Sequence, residues 1–165
     1  MKVYFSHGKE SGPWGSKIKR LAGIAEFHHF SVESVDYRGI DDPEKRVECL
    51  VKILKEEVDE FVLVGSSMGG YVSLVAAEQV QAKGLFLLAP ALYMHGYIKQ
   101  CYNVSTGMEI VHGWSDEVCS IDNSLKFAQQ AQCSLHLIPG DHRLTTSMEI
   151  VEGLFSRFLA TYLAR

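Results

Sequence analysis

Hydrophobic residues in this chain follow two spacings that alternate along its length. Short apolar or alternating runs, typical of β-strands, cover residues 2–6, 31–37, 61–64, 84–88, 109–113 and 135–138. Apolar residues spaced three or four apart, typical of amphipathic helices, mark the segments 16–25, 43–58, 72–77, 120–131 and 147–163. Strands that alternate with helices in this way favour βαβ units, in which helices cover both faces of parallel strands. The pattern therefore predicts an α/β fold, a three-layer α/β/α sandwich around a mainly parallel sheet of about six strands.

The length and charge of the chain narrow its class. With 165 residues, 47% of them hydrophobic and 22% charged, it fits one globular domain, which we expect to span residues 1–165. The net charge is −4 without a basic run, so we expect no nucleic-acid or membrane partner, and the lysines and arginines are expected to be solvated. No apolar run approaches the roughly 18 residues of a membrane-spanning helix, and the N-terminal run is too short for a secretory signal. We therefore expect a cytoplasmic protein, and the sequence leaves open whether it forms a homo-oligomer.

Cysteines and histidines give no sign of a metal site. Cys49, Cys101, Cys119 and Cys133 lie far apart and lack C-x-x-C spacing, which favours reduced, unpaired thiols. No pair of histidines has the spacing of metal ligands beside a carboxylate. We therefore expect neither a metal ion nor another cofactor.

The candidate chemistry centres on residues 61–77, where a strand, a sharp turn and a helix follow one another. The turn carries the pattern G-x-S-x-G at Gly65, Ser67 and Gly69, which is typical of a nucleophile elbow. A serine lifted clear of a sheet needs a strained backbone, and a Cβ at the flanking glycines would collide with the neighbouring strand or helix. The turn also places Ser67 at a helix N-terminus, where the Met68 N–H is suited to stabilise developing negative charge. Taken alone, the short pattern fits a plain structural turn equally well.

Two residues that follow later strands complete a candidate triad. Asp116 lies just after the fifth predicted strand and His142 just after the sixth. Because the carboxyl ends of parallel strands meet at one edge of a sheet, both side chains can approach Ser67. The chain order Ser67, Asp116, His142 is that of an α/β-hydrolase triad.

Over its whole length the chain resembles the α/β-hydrolase superfamily, most closely small single-domain serine esterases related to dienelactone hydrolases and lysophospholipase-like proteins. The resemblance is carried by His7-Gly8, Asp36-Tyr37-Arg38-Gly39, Gly65-Ser66-Ser67-Met68-Gly69-Gly70, His112-Gly113-Trp114-Ser115-Asp116-Glu117-Val118 and Gly140-Asp141-His142. It implies Ser67 as nucleophile, His142 as general base and then acid, and Asp116 as the carboxylate that orients the imidazole. It also implies an oxyanion hole formed by the backbone N–H groups of Lys9 and Met68. Relative to the family, we expect the chain to lack the first two strands and a large cap.

Several neighbouring residues compete for these roles or have plainer ones. Glu117 is the rival for the triad acid, whereas Asp122 is expected to cap a helix. Asp141 is expected to fix its own turn, and Ser66 and His7 are expected to be structural.

Three residues are candidate substrate contacts. Arg38 and Arg143 fall on loops at the predicted catalytic edge, where their charges would suit a carboxylate on the substrate. Tyr93 belongs to residues 91–106, an irregular aromatic segment that fits either a short helix or a partial lid over the site.

These residues together predict a serine hydrolase that cleaves a small-molecule ester, thioester or activated amide. It would form an acyl-enzyme and use water as the second substrate, and it would lose activity when His142 is protonated. Two alternatives stay open. One is a hydrolase-fold protein that binds a ligand or a partner without turnover, and the other is an acyltransferase that uses the same triad.

Overall fold

Six parallel strands form one sheet in the structure, a computed structural model that describes residues 1–163. The strands are β1 (Lys2–Ser6), β2 (Ser31–Val35), β3 (Phe61–Ser66), β4 (Gly84–Leu88), β5 (Met108–Gly113) and β6 (Ser134–Ile138). They lie in the order β2-β1-β3-β4-β5-β6, and every neighbouring pair is parallel, which confirms the predicted sheet. The strand order reverses between β1 and β3. In open parallel sheets, ligands bind outside the carboxyl ends of the strands at such a reversal.

Helices cover both faces of this sheet. They are α1 (Ser16–Phe27), α2 (Pro43–Glu56), α3 (Met68–Ala76), α4 (Ile121–Ala131) and α5 (Met148–Ala160). Side chains alternate across each strand, so Val3 and Phe5 enter the core beneath α1 and α5. Tyr4, between them, enters the core beneath α2, α3 and α4. The predicted three-layer α/β/α sandwich is confirmed.

Some predicted element boundaries were wrong for local reasons. The second strand ends at Val35 rather than at residue 37, because Asp36 accepts a hydrogen bond from the Arg38 N–H and the chain turns. The fourth helix is capped by Ser120, whose hydroxyl accepts the Asp122 N–H at 3.2 Å, so the prediction that Asp122 is the cap was wrong. The last helix begins at residue 148, after a short 3₁₀ turn over residues 145–147.

The first residues of α2 follow the predicted capping pattern, whereas one basic residue of the helix is not exposed to solvent as expected. Asp42 caps the helix by accepting the Glu44 N–H at 2.9 Å, and Pro43 occupies the first position. Arg46, however, is only 1% exposed. The expectation of solvated lysines and arginines was therefore wrong at this position.

Residues 91–106 contain turns and bends but neither a helix nor a strand. The segment is tied to α2 and α3, because the Tyr71 hydroxyl donates to Glu44 at 2.6 Å and accepts the Lys99 N–H at 3.1 Å. Glu44 also accepts the Ile98 N–H at 3.1 Å. The Tyr97 ring packs on Tyr71 with the ring centres 4.6 Å apart. The alternative of a short helix was therefore wrong, and the role of this segment as a partial lid stays a prediction.

Two predictions about the whole chain have different outcomes. All four cysteines are free, which confirms the unpaired thiols. The single domain over residues 1–165 stays a prediction, since residues 164–165 lie outside the described part of the chain. None of the helices within residues 1–163 has the length and apolar character needed to span a bilayer.

Candidate active site

Ser67 occupies the turn between β3 and α3 in a backbone conformation that residues other than glycine rarely adopt. Its φ is +55° and its ψ is −120°, in the strained region expected of a nucleophile elbow. The turn is held from both sides, because the Ser67 N–H donates to Leu88 at 3.0 Å and its carbonyl accepts from Ala91 at 2.9 Å. The elbow therefore presents the Ser67 side chain, which is partly exposed, at the carboxyl end of β3.

The glycines of the elbow are required by close backbone approach. A Cβ at Gly65 would lie 2.2 Å from the carbonyl oxygen of Gly69, at the start of the helix. A Cβ at Gly69 would lie 1.9 Å from the carbonyl oxygen of Ser6, at the end of β1. Both distances are far below contact, and the obstructing atoms are backbone. The prediction that a side chain at these glycines would collide with a neighbouring strand or helix is confirmed.

The structure brings the three candidate triad residues into one chain of hydrogen bonds. The Ser67 Oγ lies 2.9 Å from Nε2 of His142, and Nδ1 of His142 lies 2.7 Å from Oδ2 of Asp116. A carboxylate can only accept, so the neutral imidazole carries its proton on Nδ1 and its Nε2 accepts from the serine hydroxyl. The loops after β3, β5 and β6 supply one residue each.

Asp116 is the carboxylate bonded to His142, while its neighbour Glu117 is exposed. The Asp116 side chain is fully buried, and its Oδ1 accepts the N–H groups of Val118 and Cys119 at 2.8 Å each. Burial by itself would raise the pKa of Asp116. Hydrogen bonds from the Cys119 N–H, from His142 and from the Val118 N–H outweigh burial and hold that pKa below its ordinary value. Asp116 is therefore a carboxylate at neutral pH.

The two candidate oxyanion donors, Met68 and Lys9, belong to segments next to Ser67. Met68 is the first residue of α3, so its N–H is at the positive end of the helix dipole. Lys9 lies in the turn after β1, and a Cβ on the preceding Gly8 would be 3.4 Å from the Ser67 Cβ. Within residues 1–163 neither N–H donates a hydrogen bond to the protein. The role of these two N–H groups as an oxyanion hole stays a prediction.

His7 orders the loop that carries the Lys9 N–H. Its Nδ1–H donates to the Gly8 carbonyl at 2.7 Å, and its Nε2 accepts the Tyr37 N–H at 2.9 Å. Burial lowers the pKa of His7, which keeps the ring neutral and fixes this tautomer. The expectation that His7 is structural is confirmed.

Arg46 holds the same loop from α2, and the sequence reasoning missed it. Its guanidinium donates to the carbonyls of His7 and Gly8, each at 3.3 Å, and to Ile40 at 2.6 Å. One signal was available in the sequence, because Arg46 precedes Leu50 by four residues and so shares the buried face of the helix.

The sequence reasoning also missed Lys17, because this residue comes close to Ser66 only in the folded chain. Its ammonium donates to the Ser66 hydroxyl at 3.2 Å. Burial lowers the pKa of Lys17 to about 8, although the carboxylates of Asp141 and Asp116 partly oppose this. The Lys17 ammonium, which loses its proton more readily than an ordinary lysine, thus lies beside the turn between β3 and α3 and has the Ser66 hydroxyl as its hydrogen-bond partner.

The three predicted substrate contacts lie on different parts of the surface or have partners within the protein. Arg38 is exposed and pairs with Asp36 at 2.6 Å, while the Tyr93 hydroxyl donates to Gln130 on α4 at 3.0 Å. Arg143 follows His142 on an exposed loop. Contact of Arg38, Tyr93 and Arg143 with a substrate stays a prediction.

Asp141 shapes the loop on which His142 lies. Its Oδ1 accepts the N–H of Arg143 at 3.0 Å and that of Leu144 at 3.2 Å, which confirms that Asp141 fixes its own turn.

A second histidine, His112, also contacts the Asp116 carboxylate. Its Nε2 lies 2.9 Å from Oδ2 of Asp116 and 2.9 Å from the Cys119 carbonyl, and its Nδ1 lies 2.8 Å from the Ser124 hydroxyl. The sequence placed His112 in the acid loop without giving it a role. Within residues 1–163 no group of three or more His, Cys, Asp or Glu side chains is arranged to hold a metal ion.

Comparisons with known proteins bear on the family and the fold. Residues 1–123 match the model of a family described as uncharacterised protein family UPF0227. No curated protein matches the chain. A candidate hydrolase of the α/β superfamily from Xanthomonas campestris pv. campestris is 28% identical, with a TM-score of 0.91 over 97% of this chain and 98% of the other. Est1E from Butyrivibrio proteoclasticus is 20% identical, with a TM-score of 0.83 over 99% of this chain and 88% of Est1E. The alpha/beta hydrolase domain-containing protein 10 from mouse is 17% identical, with a TM-score of 0.81 over 98% and 90% of the two chains.

These similarities cover the site unequally. The family match includes Ser67 and Asp116 but ends before His142, whereas the structural likeness extends over nearly the whole chain. The predicted resemblance to α/β-hydrolases is confirmed at the level of the superfamily. The chain belongs to the uncharacterised protein family UPF0227 and is a member of the α/β-hydrolase superfamily.

Proposed function

We propose that this protein is a serine hydrolase of the carboxylesterase or thioesterase type that cleaves small acyl esters. The observation that carries the proposal is the unbroken series of hydrogen bonds from Ser67 through His142 to Asp116, with distances of 2.9 and 2.7 Å. A serine hydroxyl is a weak nucleophile unless a base can take its proton. Here the base is in contact and a buried carboxylate orients it.

The reaction would proceed in two halves. His142 takes the hydroxyl proton as Ser67 Oγ bonds to the substrate carbonyl carbon, and Asp116 stabilises the imidazolium that forms. The N–H groups of Met68 and Lys9 stabilise the oxyanion. His142 then gives the proton to the leaving alcohol or thiol, which leaves an acyl-enzyme. In the second half, water attacks the acyl carbon and gives a proton to His142. His142 then gives that proton to Ser67 Oγ as the acyl–oxygen bond breaks, so that the acid is released and the serine hydroxyl is restored.

The charge state of His142 sets the expected pH dependence. Only the neutral imidazole can accept the serine proton, so activity should fall as the pH is lowered through the range in which imidazoles become protonated. A rate that stays constant across this range would contradict the mechanism.

The substrate class follows from the elements around the serine. Residues 91–106 are tied to α2 and α3 through Tyr71 and Glu44, which favours a substrate small enough to need no large cap. Ferulic acid has been seen bound to Est1E, a protein of the same fold, which supports a small carboxylic acid as the product. We further propose that the protein acts in the cytoplasm on a small-molecule ester with water as acyl acceptor.

The test is covalent labelling with a fluorophosphonate, followed by the intact mass of the protein. The wild type should gain one adduct, and Ser67→Ala should gain none while keeping its circular dichroism spectrum. Ser66→Ala is the matched control, because it removes the neighbouring hydroxyl and should still be labelled. If folded wild-type protein gains no adduct, the hydrolase proposal fails and a binding function takes its place.

A second experiment addresses the substrate. Protein that is labelled by the fluorophosphonate should hydrolyse 4-nitrophenyl acetate faster than the corresponding long-chain esters, because the irregular segment 91–106 is too short to cover a long acyl group. Faster turnover of the long chains would refute the small-acyl part of the proposal.

A further inference from the structure

The triad carboxylate is held by two histidines rather than one. His142 approaches Oδ2 of Asp116 from the solvent side at 2.7 Å, and His112 approaches the same oxygen from within the fold at 2.9 Å. His112 belongs to β5 and is fully buried, whereas the His142 side chain is 20% exposed. His112 is therefore fixed by a rigid strand, while His142 stands on a loop.

The contacts of His112 determine its tautomer. Its Nε2 faces two acceptors, the Asp116 carboxylate and the Cys119 carbonyl, so this nitrogen must carry a proton. Burial lowers the pKa of His112 and keeps the ring neutral, so Nδ1 is unprotonated. Nδ1 then accepts from the Ser124 hydroxyl, which is itself buried on α4.

Four donors consequently saturate the Asp116 carboxylate. Oδ1 accepts the Val118 and Cys119 N–H groups, and Oδ2 accepts from the two histidines. Without His112, Oδ1 would still be anchored, but Oδ2 would have His142 as its single partner. The loop carbonyl of Cys119 would also lose its donor.

His112 also holds the loop that carries Asp116, because its Nε2–H faces the Cys119 carbonyl. Cys119 is buried in the same loop, and burial raises the pKa of its thiol to about 12, so the thiol stays protonated and uncharged. A single buried histidine thus holds both the Asp116 carboxylate and the loop that carries it.

We propose that His112 is a positioning residue of the triad. Its Nε2–H donates to Oδ2 of Asp116, which fixes the orientation of the carboxylate and reduces the negative charge that Asp116 presents to His142. This inference rests on the proposed hydrolase function. His112 touches neither the serine nor a substrate and acts through Asp116. Its loss should reduce the reactivity of Ser67 and also strengthen the attraction between Asp116 and a protonated His142.

Charged residues near Asp116 must keep their charges when His112 is substituted, so that a change in the pH profile can be assigned to His112. Lys17 of α1 lies within electrostatic range of Asp116, and the charges of Asp141 and Arg143, on the loop of His142, also act on Lys17. The hydrogen bonds of His112 go to Asp116, Cys119 and Ser124, so a substitution at His112 removes no hydrogen bond of these charged residues.

The experiment compares His112→Met, which removes the donor, with His112→Gln, whose amide N–H can replace Nε2–H. The rate of fluorophosphonate labelling of Ser67 is measured by intact mass between about pH 5 and pH 9. For His112→Met we expect a plateau rate about tenfold below wild type. We also expect its acidic limb to move to higher pH by about half a unit, because the protonated His142 is stabilised. His112→Gln should restore the limb and most of the rate.

A matched control is His136→Met. His136 lies on β6, is partly exposed and pairs with Glu109 of β5 at 2.7 Å, outside the triad. Its profile should coincide with that of the wild type. A merely structural His112 would lower stability in His112→Met without moving the limb, and that result would overturn the proposal. Failure of the wild type to label at all would instead refute the hydrolase function.

A second measurement needs no variant. Long-range ¹H–¹⁵N NMR of the wild-type imidazoles should show His112 as the neutral Nε2–H tautomer throughout the pH range in which the labelling rate changes. A His112 that becomes doubly protonated in that range, or that carries its proton on Nδ1, would overturn the proposal even if the methionine variant did not fold.

Discussion

Replacement of Arg46 by methionine tests how the loop that carries the Lys9 N–H is held beside the serine. The guanidinium is buried on α2 and donates to three loop carbonyls, at 2.6 Å to Ile40 and at 3.3 Å to both His7 and Gly8. Methionine keeps the length and the apolar stem of the side chain but has no donor.

The cost can be estimated from these contacts. The short bond to Ile40 is made by a charged donor and is worth about 1.5–3 kcal/mol, whereas the two bonds at 3.3 Å are weaker. Loss of the donors leaves buried carbonyls unpaired, at about 1–3 kcal/mol each where water cannot replace them. Burial lowers the pKa of Arg46, so removal of its charge returns part of this loss. We therefore expect Arg46→Met to lower the free energy of unfolding by about 3 kcal/mol.

Urea denaturation measures this change, and the melting temperature should fall by about 6–12 °C. Fluorophosphonate labelling of the folded variant should slow by about 10²-fold, because the loop no longer fixes an oxyanion donor. Arg157→Met, at an exposed arginine of α5, is the control and should change stability by less than about 0.5 kcal/mol. An Arg46→Met protein that loses less than about 1 kcal/mol and labels as fast as wild type would refute the reasoning.

Three further predictions concern the elbow, the acid and a buried charge. Gly69→Ala should cost at least about 3 kcal/mol in urea denaturation, since its Cβ would meet a β1 carbonyl at 1.9 Å, whereas Gly23→Ala, in open space on α1, should stabilise by about 0.5–1 kcal/mol. Equal effects of the two would contradict the elbow geometry. Asp116→Asn should slow labelling by about 10⁴-fold, as in other triads, while Glu117→Gln should leave it unchanged, and the reverse result would make Glu117 the acid. Burial lowers the pKa of Lys17 from 10.5 to about 8, so the folded state holds this proton less tightly than the unfolded chain and its charge destabilises the fold below pH 8. Lys17→Met should therefore raise the free energy of unfolding at pH 7 by about 1–2 kcal/mol, a gain that disappears as the pH rises toward 10.5, and a gain independent of pH would contradict the assignment.

Local patterns were sufficient to predict the architecture and the candidate triad. Hydrophobic spacing separates strands from helices because each element must bury one face, and alternation of the two forces parallel strands. Once strands are parallel, residues just after β3, β5 and β6 meet at one edge, so Ser67, Asp116 and His142 could be brought together from their order alone. The elbow glycines were predictable because a turn of this shape excludes a Cβ.

Contacts between residues far apart in the chain were decided only by the tertiary structure. Arg46 meets His7 across 39 positions, and Lys17 meets Ser66 across 49. No periodic pattern links such pairs, because they arise from the packing of one finished element on another. The choice of Asp116 over Glu117 depended likewise on which carboxylate the loop turned inward toward His142. Short-range spacing and strand direction therefore determine which residues reach the carboxyl edge of the sheet, whereas the buried charges and the further hydrogen bonds around them depend on three-dimensional packing.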